Sequence, residues 1–248
     1  MESIHIGTSG YHYKHWRNIF YPAGTKPAEY LNYYLRYFST VEINNSFYRL
    51  PTYETFASWL NSVPADFVFA VKASRFITHM KKLKDPQTSL SNFLQNVTAL
   101  EEKLGPILFQ LPPRWSCDLT RFRQFLQALP PGFLYTFEFR DHSWYQEPVY
   151  DLLRQYQAAF CIYDLEQHLS PVEVTAHFVY IRLHGPVGKY NGRYSDEVLH
   201  NWATSAVNWI REGKGVYIYF DNDIGGHAVV DAQRLLALVN QLRFSKIN

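Results

Sequence analysis

Apolar positions along the chain gather into eight short runs, each about the length of a strand. They are "IHIGTS" (4–9), "TVEIN" (40–44), "FVFAVK" (67–72), "PILFQLP" (106–112), "YTFEFR" (135–140), "AFCIYDL" (159–165), "FVYIRLH" (178–184) and "VYIYFD" (216–221). Between most of them the spacing changes to that of a helix. Leu31, Tyr34, Leu35 and Phe38 stand at i, i+3, i+4 and i+7, as do Phe56, Trp59, Leu60 and Val63. Phe122, Phe125, Leu126 and Leu129 repeat the spacing, followed by Val149, Leu152, Leu153 and Tyr156, and by Leu235, Leu238, Val239 and Leu242. Phe93, Val97, Leu100 and Leu104 mark a helix after the third run, and Val198, Trp202, Ala206 and Trp209 one after the seventh. Only the sixth connection lacks a clear helical stripe. Strands alternating with helices pair in parallel through right-handed crossovers. Eight such units in 248 residues predict an α/β fold, a single TIM-type (β/α)8 barrel with an irregular sixth connection. A doubly wound open sheet would need a G-x-G-x-x-G turn after its first strand, and "GTSGYHY" does not supply one. No linker, fixed-period repeat or low-complexity tract divides the chain, so one domain over 1–248 is expected.

Composition narrows this reading without redirecting it. A hydrophobic share of 47% excludes disorder, and 24 basic against 22 acidic residues give a net charge of +2, no global attraction to nucleic acid or membrane. Two cysteines are too few for a disulfide framework, and "MESIHIGTSG" has neither the basic nor the apolar part of a signal peptide. No apolar run approaches the roughly 18 residues of a membrane span. A cytoplasmic protein without a membrane partner is expected; the oligomeric state stays open.

Period-two alternation locates the candidate chemistry. One parity of each strand is apolar and suits the face toward the helices: Val41 and Ile43, Phe69 and Val71, Phe109 and Leu111, Phe137 and Phe139, Ile181 and Leu183, Ile218 and Phe220. The other parity becomes polar toward each strand's end, with Glu42 and Asn44, Lys72, Gln110, Glu138 and Arg140, Asp164, Arg182 and His184, and Asp221. A slip of one residue would bury the opposite set, so these groups are expected to ring the C-terminal mouth, where such barrels carry their active sites. Buried charges must pair, hydrogen-bond or meet a ligand. A structural ion-pair network is the competing reading, since Glu42, Glu138, Asp164 and Asp221 balance Lys72, Arg140, Arg182 and a protonated His184.

The motifs that carry these residues resemble those of the YecE-like family, a group of TIM-barrel proteins classed as a domain of unknown function. "IGTSGY...W...FYP", "VEINNSFYRLP", "FVFAVKASRFITHMKKLKD", "LGPILFQLPP", "FEFRDHSWY", "YIRLHG" and "YFDNDIGGHA" occur in the family's order over essentially the whole chain. The resemblance implies a barrel and places Glu42, Asn44, Lys72, Gln110, Glu138, Arg140, Arg182, His184 and Asp221 in recurring motifs. It implies no activity, and the first loop departs from the pattern, with Tyr11 where the family often has Trp.

Loops beyond the strand ends add aromatic and basic groups. "TSGYHYKHWRNIFYP" interleaves Tyr11, Tyr13, Trp16, Phe20 and Tyr21 with Lys14 and Arg17, a mixture that stacks on a ring while neutralising an anion, or simply packs over the mouth. Arg75, Lys81, Lys82 and Lys84 follow the third strand, and Lys189 and Arg193 lie in the Gly-rich "HGPVGKYNGRYS", which suits a mobile lid closed by Ser195 as a helix cap. After the eighth strand, Gly225 and Gly226 precede a helix start able to bind an anion. No metal is assigned: H-x-H and H-E-x-x-H are missing and the mouth's cations oppose one, although Glu42, Glu138, His184 and Asp221 are the ligand types available. No cofactor is assigned either. The expected function is an enzyme, an isomerase, lyase or hydrolase, acting on a small phosphorylated or carboxylated, sugar-like substrate. Glu42, Lys72, Glu138, His184 and Asp221 would be catalytic; Asn44, Gln110, Arg140, Arg182, Tyr11, Trp16, Gly225 and Gly226 would bind substrate. The alternative is a nucleic-acid-binding protein or metal-assisted nuclease that uses the aromatic and basic loops.

Overall fold

The computed structural model of the protein describes residues 3–244. The ends of the expected domain, residues 1–2 and 245–248, lie outside the described residues. All eight expected strands form: β1 (Ile4–Ser9), β2 (Thr40–Ile43), β3 (Val68–Lys72), β4 (Leu104–Gln110), β5 (Tyr135–Glu138), β6 (Ala159–Leu165), β8 (Phe178–Leu183) and β9 (Gly215–Phe220). A short β7 (His168–Leu169) is added between β6 and β8. They make one sheet in the order β5-β4-β3-β2-β1-β9-β8-β6-β7, closed by pairing of β5 with β6, so eight parallel strands form a TIM-type barrel and β7 lies outside the ring. The irregular sixth connection is this β7. It pairs antiparallel with β6, Asp164 opposite Leu169, through a turn in which Glu166 and Gln167 are both left-handed (φ 53° and 65°), and no helix follows before β8. Two left-handed residues in succession normally call for Asn or Gly, so "LEQHL" does not announce a hairpin.

Helices follow the strands where the apolar stripes predict them, and side-chain caps set several of their starts. Thr52 accepts from the Thr55 amide before Tyr53–Asn61, Asp118 from the Arg121 amide before Leu119–Gln127, and Ser195 from the Val198 amide before Asp196–Arg211. Asp196 and Glu197 sit in the first turn of the last of these, where the helix dipole favours negative charge.

By contact density the chain falls into two compact units. One holds β1, β7, β8, β9 and the residues around them; the other runs over Glu42–Cys161 with Pro171–Ala176, and the boundaries cut β2 after Val41 and β6 after Cys161. In the second unit the apolar parity faces the helices as expected. Phe109 meets Phe125 at 5.2 Å between ring centres, and Phe137 and Phe139 meet Phe122 at 5.1 and 5.6 Å, with Phe122 and Phe125 on helix Leu119–Gln127. These rings are fully buried, each contributing roughly 1.5–3 kcal/mol through loss of apolar surface to water. On β6, Phe160 packs on Tyr150 of helix Glu147–Gln155, so the alternation turns Cys161 inward. Asp164 shares the parity of Phe160 and therefore points away from the interior, which corrects its expected place in the ring.

In the first unit, β1 and β9 pair in register, Ile6 beside Ile218, and β8 and β9 likewise, Ile181 beside Ile218. Their interior layer is aromatic and polar: His5 stacks on Tyr217 at 4.8 Å, Tyr180 lies 5.4 Å from Tyr219, and the Tyr219 hydroxyl is 2.7 Å from Thr40 Oγ1. Burial lowers His5 to about 4, so this imidazole is a neutral packing group. Gly7 is needed on β1, because a Cβ there would meet the Thr40 carbonyl oxygen at 2.4 Å.

Candidate active site

Beyond that interior layer, the strand ends of the first unit bring together three of the expected residues and one that was not expected. Arg182 is 1% exposed, and its Nη2 donates to Asp221 Oδ2 and to Ser9 Oγ, each at 3.1 Å. Its Nη1 lies 3.2 Å from His184 Nε2, while His184 Nδ1 lies 2.9 Å from Asp221 Oδ2. A guanidinium has no acceptor, so Nε2 must take the Arg182 hydrogen on its lone pair, and the ring proton of a neutral His184 belongs on Nδ1. Sequence parity explains the placement. Arg182 and His184 are two apart on one face, and the β8–β9 ladder continues through the Asp221 amide, which donates to the Leu183 carbonyl at 2.8 Å. Ser9 ends β1 on the matching face; applying the same alternation to "IHIGTS" identifies it.

The Gly-rich loop after β8 covers this cluster. Tyr190, left-handed at φ 62°, sets its ring edge-on 5.8 Å from His184. The loop is tied down along its length. Gly185 donates to the Tyr194 hydroxyl at 2.9 Å, Asn222 Nδ2 to the Gly192 carbonyl at 2.8 Å, Ile224 to the Tyr190 carbonyl at 3.1 Å, and Tyr194 to the buried carboxylate of Asp231 at 2.9 Å. The expected lid is thus an anchored loop. Asp164 bonds to the Tyr194 side chain, and burial raises both acids above their ordinary values.

The first loop packs rather than presenting its rings. Trp16 is fully buried against Tyr13 and Phe20, and its Nε1 donates to the Asp223 carbonyl at 2.9 Å. Tyr11 is half-buried, its phenol pushed up by burial and its carbonyl accepting the Tyr21 hydroxyl. Tyr21 and Tyr30 stack at 3.9 Å. Asp223 joins this loop to the end of β9. Its carboxyl, pushed up to about 6 by burial and by the neighbouring charge of Asp221, lies 3.2 Å from His15 Nε2. Gly225 and Gly226 adopt φ of 70° and 72°, but the amides of Gly226 and Ala228 already donate to the Asp223 and Asn222 carbonyls at 3.0 and 2.9 Å.

The second unit holds the remaining expected residues. Glu138, fully buried, is the register partner of Gln110 and receives Nε and Nη2 of Arg140 on Oε1. Cys161 Sγ donates to its other oxygen at 3.8 Å. Glu42 is also fully buried, and Asn44 is half-buried at the start of the short helix Asn45–Tyr48. Lys72 Nζ lies 4.4 Å from the centre of the Phe47 ring. His79 was not expected here. It lies in a single π-helical turn, Phe76–Met80, with its ring edge-on to Phe47 at 4.9 Å and Nδ1 2.9 Å from Thr78 Oγ1. Burial, reinforced by Lys72 and Arg75 and opposed by Glu138, lowers it to about 4. A histidine in the basic loop after the third strand was the available signal; nothing in "SRFITHMKK" announces a π turn.

Among the described residues, no group of three or more His, Cys, Asp or Glu stands close enough to hold a metal ion, and no helix is long and apolar enough to cross a membrane. Parallel strands closed into a ring, with ionisable side chains buried at their C-terminal ends, define a TIM-type barrel of the kind that carries its chemistry at that end. Within that class the chain belongs to the DUF72 family, a protein family of unknown function, whose profile matches residues 5–246. UPF0759 protein YunF of Bacillus subtilis is 24% identical over 96% of this chain and 95% of its own length. UPF0759 protein YecE of Escherichia coli is 32% identical over 111 residues, 44% of this chain and 41% of YecE, in keeping with the YecE-like motifs. The crystal structure of a DUF72 family protein from Thermotoga maritima superposes with a TM-score of 0.86 at 28% identity, covering 96% of this chain and 99% of that one.

Proposed function

We propose that the protein is an enzyme that binds a small anionic, sugar-like substrate, phosphorylated or carboxylated, at the end of β8 and β9 and moves a proton there. The observation that carries this is the buried Arg182–His184–Asp221 arrangement, with Ser9 on the guanidinium. In the resting state Arg182 occupies the His184 Nε2 lone pair. A substrate anion that draws Nη1 to itself uncovers that lone pair as a general base, and Asp221 on the Nδ1 side stabilises the imidazolium that results. Proton abstraction of this kind opens isomerase, lyase and hydrolase reactions alike. Tyr190 sets its ring edge-on against His184, so the reading requires the loop after β8 to yield to substrate. Taken by itself, the Glu138–Arg140 pair with Lys72 suits the anchoring of charge, because the guanidinium already occupies one carboxylate oxygen.

The test is solvent exchange. The protein is incubated in heavy water with a panel of sugar phosphates and sugar acids, and loss of substrate C–H signal is followed by proton NMR. One panel member is expected to exchange, His184→Asn to slow that exchange by about 10²-fold or more, and Arg182→Met to weaken binding while both variants stay folded. The proposal fails if no panel member binds or exchanges. It also fails if both single variants lose most of their stability and Arg182→Met/Asp221→Asn recovers it, the signature of a purely structural network.

A further inference from the structure

The loops after β2 and β3 form an exposed aromatic and basic surface that takes no part in the proposed proton transfer. Tyr48 is 75% exposed, Met80 66% and Phe76 44%. These side chains are linked through the structure, since Phe47, beside Tyr48 at 5.0 Å, meets His79 at 4.9 Å, and His79 belongs to the π turn that carries Phe76 and Met80. Residues 45–53 and 73–84 contain Arg49, Arg75, Lys81, Lys82 and Lys84 and no acidic residue; Glu54 and Asp85 border them, Asp85 pairing with Lys81 at 3.3 Å, against a net charge of only +2 for the chain. Arg49, Arg75, Lys82 and Lys84 are exposed. The backbone around them is strained: Lys82, Leu83 and Asp85 are left-handed at φ 47°, 63° and 48°, although none is glycine. Strain of this kind persists where surrounding structure enforces it and is concentrated at functional segments, as are π turns. Next to Tyr48 opens a cleft of about 410 Å³ whose walls include Asn45, Arg49, Thr52 and Thr55.

We infer that this surface binds single-stranded nucleic acid. Exposed rings give successive bases flat faces on which to stack, and the basic side chains between them neutralise phosphates without reading sequence. The cleft distinguishes this partner from a lipid surface. Its walls combine apolar Leu50 and Pro51, which suit the face of a base stacked on Tyr48, with the Asn45 amide and Arg49 guanidinium, which suit that base's hydrogen-bonding edge and its phosphate. The aromatic first loop, by contrast, buries Trp16 and Tyr21 and leaves no such platform.

The experiment is fluorescence polarisation with a labelled oligouridylate of about twelve nucleotides, a duplex of the same length, and vesicles of phosphatidylserine and phosphatidylcholine as a parallel arm. The single strand is expected to bind at low salt and to weaken by about twentyfold between roughly 50 and 200 mM salt, as about three phosphate contacts require. Tyr48→Ala and the pair Lys82→Glu/Lys84→Glu should each weaken it at least about fivefold, whereas Lys14→Glu in the first loop should not. All four positions are exposed, and unchanged circular dichroism verifies folding. Failure to bind the oligonucleotide at low salt, binding unaltered by Tyr48→Ala and the double charge reversal, or binding to the vesicles alone would overturn the inference.

Discussion

Asp223 shows how a single residue links the site to stability. Its carboxyl is held to about 6 in the folded protein against 3.8 ordinarily, so between those values the native state carries a proton that the unfolded chain has lost. The resulting stabilisation is complete below about pH 4 and disappears as pH rises through 6. Asp223→Asn keeps the carbonyl that receives Trp16 and His15, removes the like-charge repulsion from Asp221, and should stabilise the protein at pH 7 by on the order of 1–2 kcal/mol after allowance for partial solvent screening. Chemical denaturation of both proteins at pH 4 and pH 7 checks this; a difference that does not grow with pH refutes it. His5 and His79 act in the opposite sense. Both fall to about 4 in the folded state, so their contribution is present above 6.5 and is lost as pH falls toward 4.

Loop and strand geometry supplies the predictions at the scale of elements. Gly185 has φ of 110°, and a Cβ there would come within 2.3 Å of the Asn191 carbonyl oxygen. Gly185→Ala should therefore cost roughly 2–4 kcal/mol in urea denaturation, because both the backbone region and the packing of the loop exclude a side chain. Helix Leu119–Gln127 depends on Phe122, which meets Phe137, Phe139 and Trp144. Phe122→Ala should cost roughly 3–5 kcal/mol by the same measurement, since it opens a cavity that three rings line. Its short range marks this as a packing effect: ligand binding at the end of β8 and β9 should be unchanged at temperatures where the variant remains folded.

A single cooperative unfolding transition is predicted for the whole chain. The two compact units divide within β2, between Val41 and Glu42, and within β6, between Cys161 and Ile162. A ring of eight paired strands leaves no open edge at which melting could begin. Scanning calorimetry should give one transition, with calorimetric and van't Hoff enthalpies equal within error, as expected for one domain. Two resolved transitions would mean that the units fold independently.

Eight strands, six helical connections, a helix after the last strand and a sixth connection without one were legible in the sequence, because period-two and period-3.6 burial are local properties that burial on one face imposes on the chain. The same alternation placed Arg182, His184 and Asp221, and likewise Gln110, Glu138 and Arg140, on the polar parity of their strands; within each unit, Arg182 meets Asp221 and Glu138 meets Arg140. It misled at Asp164, where Phe160 rather than the acid marks which parity of β6 meets the helices. Tertiary structure alone decided the rest. That His184 presents Nε2 to a guanidinium, that Trp16 spends its indole on the Asp223 carbonyl, and that Glu166 and Gln167 turn the chain into β7 all depend on partners distant in sequence or on backbone conformations that these residue types do not advertise. Periodicity specifies which face a side chain takes; which atom it meets there depends on register across strands and on loops held by hydrogen bonds such as Asn222 to Gly192, and neither leaves a repeating mark in the chain.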